Sequence, residues 1–134
     1  NFVERAITDY VDETESGSVR GEAFVQKLED RGRAPDISFF RKSSEGRLKR
    51  TGADGPADLV IEIVSPSSRA VDRGEKFYEY EAAGIEEYWI LDPDRKAAEF
   101  YRLADGRYGP VLPDAEDRVH SSVIPGFFIR VGWL

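Results

Sequence analysis

The chain contains no cysteine, no methionine and only one histidine, His120. Without cysteine there is neither a disulfide framework nor a thiolate metal site, and a single imidazole argues against zinc chemistry and against a Ser-His triad. Any catalysis must therefore use carboxylates, lysine, tyrosine or serine. Long apolar runs are missing too: none approaches the ~20 residues a membrane span requires, so nothing reads as crossing a bilayer. The segment from Asn1 to Asp12 carries charges throughout and has no apolar stretch of the kind that opens a secretory leader, which makes the cytoplasm the default location. A chain that starts at Asn1 and has no methionine is expected to be a piece of a longer protein. Positive charge is in deficit as well. The 19 Lys and Arg against 26 Asp and Glu leave a net charge of -7 at pH 7. That balance argues against indiscriminate nucleic-acid binding, which is driven by phosphate neutralisation, and any nucleic-acid chemistry would need a local basic patch or a metal ion.

What is present is the balance of a globular protein: 134 residues, 40% hydrophobic and 34% charged, suit one core and are too few for two ordinary domains. Phe2, Val3, Ala6, Ile7, Tyr10 and Val11 recur at three- and four-residue steps, which predicts an amphipathic helix ended by the glycine of DETESGS. Val19 to Phe40 reads as a hairpin with a polar turn at EDRG and with Pro35 at the start of its second strand. The polar run RKSSEGRLKRTGADGPA is expected to form a long mobile loop. It gathers Arg41, Lys42, Arg47, Lys49 and Arg50, the only basic concentration in the chain. LVIEIV, apolar on both faces, reads as a buried central strand. A helix of about four turns is expected from Ser67 or Ser68 to Ala83, stopped by Gly84. EEYWILD and AAEFYRL then pair around the turn PDRK, Asp105-Gly106 opens another turn, and HSSVIPGFFIRVGWL packs a final strand or short helix on the core. This order describes a single α/β (mixed α+β) domain, a mixed sheet flanked by helices, with a helix placed to make a parallel right-handed crossover.

The stretch with chemical content is DLVIEIVSPSSRAVDRGEK, Asp58 to Lys76. Pleating sends Val60, Glu62 and Val64 to one face and Leu59, Ile61 and Ile63 to the other. A carboxylate among valines costs several kcal/mol unless it is neutralised, paired or metal-bound, although a place near the strand's end or a structural arginine would satisfy it equally well. Asp36, which opens DISFF, is a second candidate, and its place after a proline also suits a plain strand-entry residue. Two carboxylates on neighbouring strands suit Mg²⁺, which takes hard oxygen ligands and keeps several waters. On the helix that follows, Asp72, Lys76, Tyr80 and Ala83 share one flank, so Lys76 can reach the edge of the sheet. There it would orient or deprotonate a nucleophilic water and stabilise charge on a phosphate. The plain alternative is a solvent-facing i,i+4 pair of Asp72 with Lys76, worth about 0.2–0.5 kcal/mol.

Taken together, PD at 35 to 36, DLVIEIVSPSSRAVDRGEKFYEY, AGIEEYWILDP and EFYRL resemble the Uma2 family, also described as DUF820, of "putative restriction endonucleases". The resemblance runs from the first helix to the IPGF segment and is densest from Asp58 to Pro93. It implies the restriction-endonuclease-like core of the PD-(D/E)XK nuclease superfamily, a mixed four-stranded sheet flanked by helices. By this resemblance Asp36 matches the PD aspartate and Glu62 the acid of the third core strand, and the two would hold Mg²⁺ (or Mn²⁺). The superfamily's usual lysine falls two residues after that acid, where this chain has Val64, and Lys76 matches the relocated lysine of the family. Ser65, Ser67, Asp72 and Tyr80 also fall on family-like positions, with Ser65 and Tyr80 as candidate substrate contacts, while Ser68 stands where threonine is expected. Family members carry an acidic ExxxGE-like segment before the first helix, which this chain is expected to lack.

The function so implied is Mg²⁺-dependent endodeoxyribonuclease activity. Asp36 and Glu62 hold the ion, Lys76 assists the attacking water, and Arg41, Lys42, Arg47, Lys49 and Arg50 contact DNA phosphates, unless that loop is only a solvated connection. Pairing of two copies is part of the same expectation. Tyr88, Trp89, Phe100 and Tyr101 are candidates for the pairing surface, set against the more usual place of such residues in a core. Two alternatives stand beside this reading: a catalytically inactive nuclease-like binding or scaffold module, and a phosphodiesterase acting on RNA or nucleotides.

Overall fold

Helix α1 (Phe2–Thr14) turns Val3, Ile7 and Val11 inward, as their spacing requires. It ends not at a glycine but at Glu15, which takes the left-handed conformation itself (φ 52°). Gly17 instead opens a strand so close to its neighbour that a Cβ would collide with Phe40 O. In this computed structural model, which describes residues 2–29 and 31–134, the strands that follow are β1 (Gly17–Arg20), β2 (Val25–Lys27), β3 (Gly32–Arg33), β4 (Ile37–Arg41), β5 (Gly52–Ala53) and β6 (Leu59–Ile63). After two short helices, α2 (Arg69–Arg73) and α3 (Glu75–Ala82), come β7 (Glu87–Asp92), β8 (Ala97–Ala104), β9 (Arg107–Pro110), β10 (Arg118–His120) and β11 (Phe128–Arg130).

Six of these strands form the central sheet in the order β1-β4-β6-β7-β8-β9. Only β6 and β7 run parallel, joined by the α2–α3 crossover, and the other neighbours are antiparallel. The result is the mixed α+β architecture expected. Alternation along β6 divides two cores: Leu59, Ile61 and Ile63 pack with α1, Trp89, Leu91 and Phe100 on one face, while Val60 and Val64 pack with Tyr80, Tyr88 and Ile90 beneath α3 on the other. No described helix is long and apolar enough to cross a membrane.

Four local expectations need correction. Val19 to Phe40 is not a simple hairpin: β1 does pair antiparallel with β4, but the chain between them leaves to build a separate sheet, β3-β2-β5. In β2 only Gln26 is buried, so this strand suits a rim rather than the middle of the main sheet. Asp30, in the expected EDRG turn, lies outside the described residues. The basic stretch is not a long mobile loop but holds a 3-10 helix (Lys42–Arg47) and β5, closed by Asp54 N–H to Arg47 O at 2.9 Å and by the Arg47 guanidinium to Pro56 O at 2.8 Å. The expected single helix is broken at Gly74 (φ -110°, ψ -90°), whereas Gly84 (φ 79°) stops α3 as anticipated. Finally, Tyr88, Trp89 and Phe100 are core residues, which removes them as a self-association surface.

Trp89 is 1% exposed and packs edge-on against Phe100 at 5.2 Å between ring centroids. Trp89→Ala is expected to destabilise the fold by about 3–5 kcal/mol, whereas Leu112→Ala, at a site 79% exposed, should change stability by less than about 0.5 kcal/mol. Urea denaturation measures both.

Candidate active site

The β4–β6 register sets Ile37 opposite Ile61 and Ser38 opposite Val60. One step further along the same ladder, Asp36 at the entrance of β4 faces Glu62 near the exit of β6. Two hydrogen bonds fix the pair. The Ile63 N–H donates to Asp36 Oδ2 at 2.6 Å, and the Asp36 N–H donates to Glu62 Oε1 at 3.3 Å.

Glu62 is only 3% exposed. Its other oxygen, Oε2, accepts the Tyr80 hydroxyl at 2.8 Å and lies 3.3 Å from the Lys76 ammonium. Lys76 is in turn 2.8 Å from Asp72 Oδ1, and the Asp72 carbonyl accepts the Tyr88 hydroxyl at 2.8 Å. The flank read from the sequence survives the break at Gly74, but as a buried network rather than a solvent-facing ladder, since Asp72 is 1% exposed. Ionic staples hold α2 in place above the strand ends: Arg69 binds Asp92 with two hydrogen bonds, at 2.7 and 3.1 Å, and Arg73 binds Glu99.

The electrostatics follow from this packing. Burial pushes the Glu62 carboxyl up to about 7, against the pull of Lys76 and the Tyr80 hydroxyl, with the charges of Asp36 and Asp72 adding to the rise. Burial alone would lower Lys76, but the hydrogen bond and charge of Asp72, together with Glu62, outweigh it and hold the ammonium above its ordinary value. Lys76 is therefore a cation at neutral pH. Burial, reinforced by Glu62, drives the Tyr80 phenol far above its usual range, so it acts only as a donor.

Of the sequence candidates, Asp36 and Lys76 both reach Glu62, the first through its backbone N–H and the second through its ammonium. Tyr80 is fully buried behind Glu62, so it touches the carboxylate and not a bound substrate. Ser65 is exposed on the turn just beyond β6, bonded to Ser67 and Ser68 at 2.9 and 3.3 Å. The basic segment lies elsewhere: Arg41 ends the strand that Asp36 enters, roughly 16 Å away at ~3.3 Å per residue. Three of its cations are engaged, Arg41 with Asp58 and Glu86, Arg47 with Pro56 O, and Lys49 with Asp54. Lys42 and Arg50 are exposed. Asp72 is the participant whose place was missed; its spacing of four to Lys76 and eight to Tyr80 was visible, but its burial was not.

The donor set suits a hard divalent cation. The Asp36 and Glu62 carboxyls come from adjacent strands, and the charges of Asp36 and Asp72 both bear on Glu62, so acids outnumber the single ammonium of Lys76. Among the described residues no three His, Cys, Asp or Glu side chains gather to hold an ion by themselves. The remaining positions would fall to backbone carbonyls and water, which Mg²⁺ retains readily. A separate cleft of about 150 Å³, lined by Phe2, Ile63, Leu91 and Trp133 among others, belongs to the α1 face, whereas the carboxylates lie on the opposite face of β6.

A mixed central sheet flanked by helices is the restriction-endonuclease-like fold. The chain shares its fold with a crystal structure described as "a putative nuclease belonging to DUF820" from Anabaena variabilis ATCC 29413, with a TM-score of 0.73 and 19% identity, covering 97% of this chain and 76% of that one. It belongs to the Uma2 family, whose description is "Putative restriction endonuclease" and which it matches over residues 1–132. No curated protein matches it.

Between about pH 4.5 and 7 the folded chain keeps a proton on Glu62 that the unfolded chain releases, so stability falls as pH rises through this window. In metal-free buffer, wild type should lose on the order of 2–3 kcal/mol relative to Glu62→Gln between pH 4.5 and 8. Chemical denaturation of both proteins across this range gives the difference, and a pH-independent gap would contradict the burial of this carboxyl.

Proposed function

We propose that the protein is a Mg²⁺- or Mn²⁺-dependent endodeoxyribonuclease that hydrolyses DNA phosphodiester bonds at Asp36, Glu62 and Lys76. The observation that carries this reading is the meeting of two carboxylates from adjacent antiparallel strands with an ammonium 3.3 Å from one of them. Asp36 and Glu62 would hold the ion, which when bound supplies a more acidic water and neutralises charge on the scissile phosphate. The chain's own residues prepare the place for it. The Ile63 N–H orients Asp36, Tyr80 and Lys76 orient Glu62, and the sheet keeps the two carboxylates together before any ion arrives. Lys76, held protonated, positions the attacking water and meets negative charge that develops on the phosphate. The family description supports DNA as the substrate.

Ser65 would contact phosphate at the mouth of the site. Lys42 and Arg50, with Arg41, Arg47 and Lys49 shaping their segment, would contact phosphates on the order of five nucleotides away, at ~3.4 Å per nucleotide along a strand. Pairing of two copies belongs to the same proposal, through a surface other than the buried aromatics. One observation favours a second reading: the acidic set suited to an ion stops at two among the described residues, which fits a nuclease-like fold that binds without hydrolysis. An RNA or nucleotide phosphodiesterase would use the same residues.

Plasmid DNA with Mg²⁺ or Mn²⁺ should be nicked or linearised by the wild-type protein and not in the presence of EDTA. The Asp36→Ala, Glu62→Ala double variant should be slower by at least about 100-fold. Equal rates would remove these ligands from the mechanism, and inactivity of both, with DNA still bound, would leave the binding-module reading. Lys42→Gln with Arg50→Gln should reduce the slope of log affinity against log salt by about 2; an unchanged slope would place the basic segment outside the interface.

A further inference from the structure

We propose that Asp72 is a positioning residue that keeps Lys76 aimed at the Asp36–Glu62 pair once a divalent cation takes over the charge of Glu62. The proposal rests on the metal-ion reading above. Lys76 has two anchors, Glu62 Oε2 at 3.3 Å and Asp72 Oδ1 at 2.8 Å, and they are not equivalent. Glu62 is shared with the ion, and a cation bound there repels an ammonium on the same carboxylate. Lysine is long, flexible and strongly hydrated. With its side chain already 20% exposed, Lys76 held by Glu62 alone would turn outward when the ion binds.

Asp72 removes that escape. It sits on α2, one turn before Lys76, with a side chain only 2% exposed and a backbone carbonyl tied to the Tyr88 hydroxyl. Its Oδ1 forms an ion pair with the Lys76 ammonium at 2.8 Å and has no hydrogen-bond partner among the described residues. If the ammonium left, a buried charged oxygen would be stranded without compensation, which is strongly disfavoured. Neighbouring Arg73 forms its ion pairs with Glu99 and Asp92 rather than with Asp72. The arrangement differs from an ordinary i,i+4 surface pair in two ways: the acid is buried, and the helix breaks at Gly74 between the two residues. The second anchor therefore does for Lys76 what Glu62 cannot do once it is a ligand.

The test follows the Lys76 ammonium by NMR in ¹⁵N-lysine-labelled protein, where a held ammonium gives a protected signal, during a Mg²⁺ titration run in parallel with calorimetry. In wild type the signal should persist at saturating Mg²⁺. In Asp72→Asn it should be lost, or move to the free-lysine position, as the ion binds. Tyr88→Phe, which loosens the same helix without removing the Asp72 charge, should keep it. Plasmid cleavage by Asp72→Asn should fall about 100-fold in kcat with little change in KM. Ion binding with the signal lost in wild type, or retained in a folded Asp72→Asn, overturns the proposal alone, as does cleavage by that variant at the wild-type rate. No Mg²⁺ binding by wild type overturns the metal-ion reading and the proposal with it. The wild-type titration decides the matter even where Asp72→Asn fails to fold.

Discussion

Burying the Glu62 carboxylate in the central strand costs several kcal/mol unless donors and counter-charge reach it, and the fold supplies them from two sides. The Asp36 backbone arrives through the β4–β6 ladder, while Lys76 and Tyr80 come down from α3. Each contact makes demands on the rest of the chain. The antiparallel register has to bring Asp36 opposite Glu62, the crossover has to return over the same face, and α2 has to be pinned by Arg69 to Asp92 and by Arg73 to Glu99. Much of the layout of this half of the molecule answers to the solvation of one carboxyl group.

The compensation is incomplete, and that incompleteness has chemical content. A carboxyl raised to about 7 beside two further acids is an environment short of positive charge, and functional sites commonly hold such groups at a cost in stability. The apolar layers bear that cost. Val60, Val64, Tyr88 and Ile90 pack around the network on its own face, while Trp89, Phe100 and Phe127 consolidate the opposite one. The hydroxyls of Tyr80 and Tyr88 face inward to the network, so these aromatic residues contribute both apolar area and the donors that buried oxygens require.

Where the chain is periodic, its secondary structure could be read directly. The apolar stripe of α1, the alternation of LVIEIV, the strand EYWILD with its antiparallel partner and the stop at Gly84 all appear where their residues place them. The errors fall where local pattern is weak. Gly74 looks like one more residue in a helical run, yet it is the joint between two helices, and Glu15 rather than Gly17 takes the left-handed turn. The segment from Arg41 to Ala57 is polar enough to pass for a loop, but Arg47 closes it on itself at Pro56 and the short β5 ties it to β2, far away in sequence. Hydrogen bonds of that kind leave no periodic trace.

By itself the sequence determined the residue types available and their spacing: no thiol, one imidazole, a carboxylate in an oily strand, an aspartate after a proline, and a lysine four residues beyond another acid. These followed from composition and from the periods of strand and helix, which are local properties. Tertiary structure alone decided that Asp36 faces Glu62, that Lys76 is shared between Glu62 and Asp72, and that the basic segment lies at the far end of β4. The reason is physical. Register, burial and the choice between two carboxylates for one ammonium depend on how separate elements pack, and an acid of identical local pattern is either a solvated surface residue or a buried anchor according to what folds over it.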